Sequence, residues 1–238
     1  MRIIFIDTET TGLPDKDYSS VIELGSCTWV SDVGIISMES FLLNNLRVKE
    51  MPEDSYRVHG IKAETVLNYG RQPASSLGQF FINMKEADAI CAARYVFDKE
   101  MLERDAKRLK ITMPQCTWID FLSDIPYGPK IKGHSVAHIA ADHGFVNPFP
   151  HRALTDVLTM VSVIERGKYN MKKVVEDCQS PMLTVRAKVS FEQKEMAKKK
   201  GFKWNPTDKV WFKALRENQY IKERETYAFE TTIEKEDR

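Results

Sequence analysis

Two carboxylates, Asp7 and Glu9, follow the apolar run Ile3-Ile4-Phe5-Ile6 in the segment Phe5-Ile6-Asp7-Thr8-Glu9-Thr10-Thr11-Gly12-Leu13. Three more acid–base side chains lie in short segments far along the chain: Asp98 in Phe97-Asp98, and His151 and Asp156 in His151-Arg152-Ala153-Leu154-Thr155-Asp156. Residues Arg2 to Ile6 predict a buried strand, because β-branched and aromatic side chains are followed by polar ones. Positions i and i+2 of a strand share a face, so Asp7 and Glu9 point the same way. Carboxylates crowded at the end of an apolar strand repel one another, and their pKa values rise unless a cation holds them. Hard divalent ions such as Mg²⁺ or Mn²⁺ take oxygen ligands and leave positions for phosphate oxygens. Two such ions about 3.5–4 Å apart activate the attacking water and stabilise charge on phosphorus and the leaving oxygen. His151 can supply the base, since an ordinary imidazole titrates near pH ~6.5.

Singly, these segments are commonplace. Asp-Thr-Glu-Thr suits an acidic turn, Phe-Asp occurs anywhere, and His-x-x-x-x-Asp suits a helix start with the histidine near the cap. In this order, on a strand end, a helix start and a helix, they converge on one site for phosphodiester hydrolysis.

These residues resemble the DEDDh (epsilon-subunit-like) family of 3′-to-5′ exonucleases, which includes exonuclease X, ribonuclease T and oligoribonuclease. The resemblance covers about residues 1 to 178. Its first motif, Asp-x-Glu-Thr-Thr-Gly-Leu, stands complete at Asp7 to Leu13, and its third, His-x-x-x-x-Asp, at His151 and Asp156. Val58-His59-Gly60-Ile61 resembles a segment that many members place beside the terminal nucleotide. The second motif departs from the family's His-Asn-Ala-x-Phe-Asp, reading Ala93-Arg94-Tyr95-Val96-Phe97-Asp98, and keeps Asp98. The resemblance implies that Asp7, Glu9, Asp98 and Asp156 are ligands to two Mg²⁺ or Mn²⁺ ions and that His151 is the general base. It further implies that Leu13 wedges against the terminal base and that the backbone at Thr8 and Thr10 meets the terminal 3′-hydroxyl, with His59 nearby. The fold it implies is α/β and ribonuclease-H-like.

The pattern of the chain fits a mixed sheet flanked by helices, five-stranded in that fold. Strands are predicted over Val21 to Val30 and Ile35 to Leu43, making an antiparallel meander with the first, and over Ala89 to Ala92 and Cys116 to Ile119. Helices are predicted over Ser76 to Glu86, Asp98 to Leu109, Val136 to Asp142 and Ala153 to Glu165. His134, His138 and His143 include an i, i+4 pair, yet no cysteine or glutamate completes a zinc set, so they read as ordinary histidines.

A boundary is expected near Gln179-Ser180-Pro181, dividing an exonuclease domain at 1–180 from a small α+β module at 181–238. In that module Leu183 to Val189 alternates like a strand, Phe191 to Lys200 reads as a basic helix, and Phe202 to Phe212 as a hairpin about Asn205-Pro206. Trp204 and Trp211 are expected in its core, and Glu223 to Arg238, rich in charge, is expected to fray. The formal net charge of the chain is +1, but residues 183–213 hold nine lysines and arginines against three acids. Lys198, Lys199, Lys200, Lys203 and Lys209 are therefore candidates for contacting a nucleic-acid backbone, with a solvated face as the bland alternative.

No apolar stretch is long enough to span a bilayer and Met1 leads directly into a strand, so a cytoplasmic protein without signal peptide is expected. Cys27, Cys91, Cys116 and Cys178 are scattered without a C-x-x-C pair and are expected to be reduced, without structural zinc. The expected activity is metal-dependent 3′-to-5′ hydrolysis of single-stranded DNA to nucleotide 5′-monophosphates, with a replication or repair protein as a conceivable partner. An exoribonuclease is the alternative within enzymes, since sugar discrimination depends on 2′-hydroxyl contacts. A non-catalytic nucleic-acid-binding accessory protein is the alternative outside them.

Overall fold

The computed structural model describes residues 1–45 and 51–235. It divides into two compact units, Met1–Val175 and the chain from Glu176 onward, a division that falls inside a helix.

The first unit is built in the order β1 (Arg2–Thr10), β2 (Val21–Val30), β3 (Gly34–Leu42), α1 (Glu53–His59), α2 (Ala63–Tyr69), α3 (Pro73–Lys85), β4 (Ala89–Ala92), α4 (Tyr95–Leu109), β5 (Trp118–Asp120), α5 (Val136–Asp142) and α6 (Ala153–Gly167), and the division falls within α7 (Met171–Cys178). Its five strands lie in the order β3-β2-β1-β4-β5. The first three form an antiparallel meander, and β4 and β5 join parallel to β1. Strand β1 alternates across the sheet. Ile4 and Ile6 pack with Leu77, Phe81, Met84 and Leu102 in the core under α3 and α4. Ile3, Phe5, Asp7 and Glu9 therefore face the opposite side.

Gly25 explains how α6 approaches that side. It pairs with Asp7, and a Cβ on it would lie 2.4 Å from the backbone of Ala153 and Leu154. Only a residue without a side chain lets the first turn of α6 rest on the strand pair here. Asp156 is thereby carried to the Asp7–Glu9 face. On the other side, the pairing of β4 with β1 ends at Phe5 and Cys91, so the first turn of α4, with Asp98, lies beside the overhanging end of β1.

The second unit comprises β6 (Met182–Lys188), α8 (Lys194–Lys199), β7 (Lys203–Asn205), β8 (Val210–Arg216), α9 (Glu217–Glu223) and β9 (Glu230–Lys235). Its antiparallel sheet has the order β7-β8-β6-β9. Leu183, Val185, Ala197, Phe202, Leu215 and Tyr220 form its core. Two expectations are corrected here. The charged tail does not fray from Glu223: Arg224–Thr226 forms a 3-10 turn, and Glu230–Lys235 is a strand paired along β6. The charges that suggested disorder are cross-strand partners, Arg186 with Glu234 at 2.8 Å and Lys188 with Glu230 at 3.5 Å. Nor are both tryptophans core. Trp211 packs against the cluster, but Trp204 is 48% exposed, its ring 5.7 Å from that of Trp211 across the hairpin. Phe202, Tyr227 and Phe229 fill the space instead, the last two stacked at 5.4 Å.

Candidate active site

One cleft in the first unit is lined by Asp7, Thr8, Glu9, Thr10, Leu13, His59, Asp98, His151 and Asp156, every residue expected there. Asp7, Glu9 and Asp156 each bring a carboxylate oxygen to within 4.8 Å of the others, a donor set that fits a hard divalent cation. Asp98 lies outside that group of three and is 4% exposed, its Oδ1 accepting a 2.7 Å hydrogen bond from Thr8 Oγ1. Thr10 turns its hydroxyl to the carbonyl of Gly12. Leu13 is 61% exposed at the cleft surface, and Val58, also exposed, shares the lining. The five lysines Lys198, Lys199, Lys200, Lys203 and Lys209 are exposed in the second unit.

Asp156 is fixed by two donors, the His151 backbone N–H at 2.8 Å and Asn147 Nδ2 at 2.9 Å. His151 achieves this with a left-handed backbone, φ 62°, which costs a non-glycine residue about 1–2 kcal/mol. Its imidazole stands exposed at the cleft. His59 is 6% exposed. Its Nδ1 accepts from the Ile61 N–H at 3.0 Å, which places the ring proton on Nε2. That Nε2 has no hydrogen-bond partner among the described residues.

Sequence reasoning missed Glu23. It pairs with Glu9 across β1 and β2 and is 2% exposed. Arg152 grips it with two donors, Nε at 3.1 Å and Nη2 at 2.8 Å, and the Ala153 N–H donates to it at 3.2 Å. Glu23 thus caps α6 and anchors the segment between His151 and Asp156. An acid within the apolar opening Val21-Ile22-Glu23-Leu24 of β2 was the available signal. His134 also lines the cleft. It does not converge with His138 and His143, for His138 bonds Ser135 and His143 bonds Tyr169 and the Ile139 carbonyl.

Burial and mutual repulsion load these carboxylates. Asp7 is driven well above the usual carboxylate range by burial, then by Asp98, Glu9 and Asp156. Glu9 is pushed up to about 8 by burial and by Glu23 and Asp156, with Arg152 opposing. Asp98 is raised to about 7 by burial, against the Thr8 hydrogen bond. Since these folded values exceed the unfolded ones near ~4, the metal-free fold keeps its full stability only below about pH 4 and loses it as pH rises through 7 to 8. In EDTA the thermal midpoint should fall by about 5 °C or more between pH 5 and 8.5, at roughly 2–4 °C per kcal/mol. Mg²⁺ should reverse the loss most strongly at the alkaline end, with proton release measurable by calorimetry in two buffers. A midpoint independent of both pH and Mg²⁺ would refute a cation-binding role for the cluster.

The chain has relatives among known proteins. A family model described as "Exonuclease" matches residues 4–164, and a model for a domain of unknown function matches residues 183–231. The DNA polymerase III epsilon subunit of Rickettsia felis is 39% identical over 64 residues, 27% of this chain and 27% of that protein. Exonuclease I of E. coli, solved with a dA16 oligonucleotide, superposes with a TM-score of 0.62 at 16% identity, covering 80% of this chain and 48% of that one. The nuclease domain of 3′hExo, described as a DEDDh family member bound to rAMP, gives 0.58 at 15% identity, over 69% of this chain and 90% of that one. The chain thus spans about a quarter of the curated relative and half of exonuclease I, and shares with the solved structures the ribonuclease-H-like fold. A complete first and third motif on that fold, within a family match over most of the first unit, means that the chain belongs to the exonuclease family in its DEDDh, epsilon-subunit-like form.

Proposed function

We propose that this protein is a metal-dependent 3′-to-5′ exonuclease that releases nucleotide 5′-monophosphates from single-stranded DNA. The convergence of Asp7, Glu9 and Asp156 within 4.8 Å, in a cleft that also holds Asp98 and His151, carries the reading. Asp7, Glu9, Asp98 and Asp156 are assigned as ligands to two ions, Mg²⁺ or Mn²⁺. The bound ions would supply Lewis-acid stabilisation of charge on the phosphate and the leaving oxygen. His151, exposed beside Asp156, takes the proton of the attacking water. Leu13 offers an apolar surface to the terminal base, His59 offers its unpaired Nε2–H, and the backbone at Thr8 and Thr10 meets the 3′-hydroxyl. Residues 1–180 form the catalytic domain in this reading, and 181–238 an accessory module. Among the described residues no helix is long and apolar enough to cross a membrane, and we place the protein's work in the cytoplasm.

DNA is favoured because the curated relatives are DNA polymerase subunits. The rAMP in the 3′hExo structure keeps RNA as the second reading. Matched 5′-labelled DNA and RNA strands incubated with Mg²⁺ should distinguish them, with DNA trimmed stepwise and blocked by a 3′-phosphate. Efficient cutting of a circular single strand would overturn exonuclease action.

Lys198, Lys199, Lys200, Lys203 and Lys209 are proposed to follow the phosphate backbone of longer strands. Each phosphate neutralised on a single strand contributes a slope of about −0.7 in log affinity against log salt. Changing all five to glutamine in full-length protein, with Asp7→Asn to prevent cleavage, should weaken binding of a long strand and flatten that slope. Identical affinity and slope in an anisotropy titration would leave the lysines as a solvated face.

A further inference from the structure

A second groove opens beside the catalytic cleft and is continuous with it through Arg94, Phe97, Leu122 and His134. Pro14 and the exposed Val96 add apolar wall, and Pro14 directly follows Leu13 of the cleft. Arg94 is the N-terminal flanking residue of α4, four positions before Asp98, so one helical turn of about 5.4 Å rise separates them. Arg94 is exposed, and among the described residues no carboxylate pairs with its guanidinium. It is also the only lysine or arginine among the described residues lining cleft or groove. Arg152, the nearest alternative in sequence to the catalytic segment, has its charge committed to Glu23. The groove has two acids: Asp120 is engaged by the backbone N–H groups of Leu122 and Ser123 at 2.9 and 3.1 Å, and Glu100 lies exposed to solvent on α4.

A polyanion entering a cleft of four carboxylates needs a cation that the fold has not already neutralised. We propose that the groove is the subsite for the nucleotide next to the terminal one, with Arg94 binding the phosphate 5′ of the scissile linkage and the apolar wall receiving the base. The assignment rests on the exonuclease reading above and adds to it a determinant of substrate length. An arginine–phosphate hydrogen bond is charge-assisted and can be bidentate. Arg94 stands where the family pattern has asparagine, which cannot neutralise a phosphate, so the contact belongs to this chain's own sequence.

The test uses three substrates with Mg²⁺: a thymidine trinucleotide, the same trinucleotide with an uncharged methylphosphonate 5′ of the scissile linkage, and the p-nitrophenyl ester of thymidine 5′-monophosphate, which has no upstream linkage. Wild type should lose about tenfold in kcat/KM on the methylphosphonate, the effect of one charge-assisted contact. Arg94→Ala should be that much slower on the natural trinucleotide, indifferent to the methylphosphonate, and equal to wild type on the ester. Arg94→Lys should recover part of the loss through its charge. If Arg94→Ala responds to the methylphosphonate as wild type does, or loses equally on the ester, the subsite assignment is wrong while the exonuclease reading stands. If wild type hydrolyses none of the three, both fail together.

Discussion

Asp7→Ala is expected to reduce hydrolysis by about 10³-fold or more, because a lost ligand removes several kcal/mol of metal-centred stabilisation and each ~1.4 kcal/mol is a factor of ten. The same substitution should not unfold the protein. The charge of Asp7 is opposed by burial and by Asp98, Glu9 and Asp156. Removing it relieves that repulsion, so the metal-free variant should melt higher than metal-free wild type at pH 8 while failing to gain stability from Mg²⁺. Asp7→Asn keeps the shape and should behave alike. The pairing of raised stability with lost activity separates a ligand from a structural acid, whose removal would lower both. EDTA should silence the wild type and Mg²⁺ or Mn²⁺ restore it. Full activity in EDTA, or in Asp7→Asn, would rule out metal-assisted hydrolysis at this cluster.

The legible part of the site was local or carried by a motif. Alternation along β1 puts Asp7 and Glu9 on one face, and the structure has them there, with Asp156 brought up by α6. What was illegible depends on contacts distant in sequence. Glu23 and Arg152 are 129 residues apart, and nothing in either segment alone announces that one caps the other's helix. Gly25 looks like any strand glycine until the backbone of Ala153 is seen against it. In the second unit β9 was hidden by its composition. Glu-Thr-Thr-Ile-Glu-Lys has one apolar residue, and its strand character comes from β6 opposite, with Ile233 beside Val185 and acids beside bases. The short helices α1 and α2 also escaped, as seven-residue segments have little room for a periodic pattern.

His151 can be tested without disturbing Asp156, because it holds that carboxylate through its backbone N–H and not through its ring. His151→Ala keeps the N–H but loses the imidazole, and kcat should fall by about 10²–10⁴-fold, the usual worth of a positioned base, with KM little changed. Alanine, however, inherits the left-handed backbone at φ 62°, and a lower rate could then reflect a shifted Asp156. His151→Gly removes the ambiguity. Glycine adopts that conformation without penalty, so it should be more stable than the alanine variant by about 1 kcal/mol while losing the same factor in kcat. Equal loss in the two variants assigns the effect to the missing base. Mg²⁺ stabilisation should survive in both, since Asn147 and the residue 151 N–H still fix Asp156. Added imidazole should restore part of the rate to the glycine variant, where the space left by the ring is open. A glycine variant with wild-type kcat at saturating substrate would remove His151 from the chemistry and leave it as a backbone clamp for Asp156.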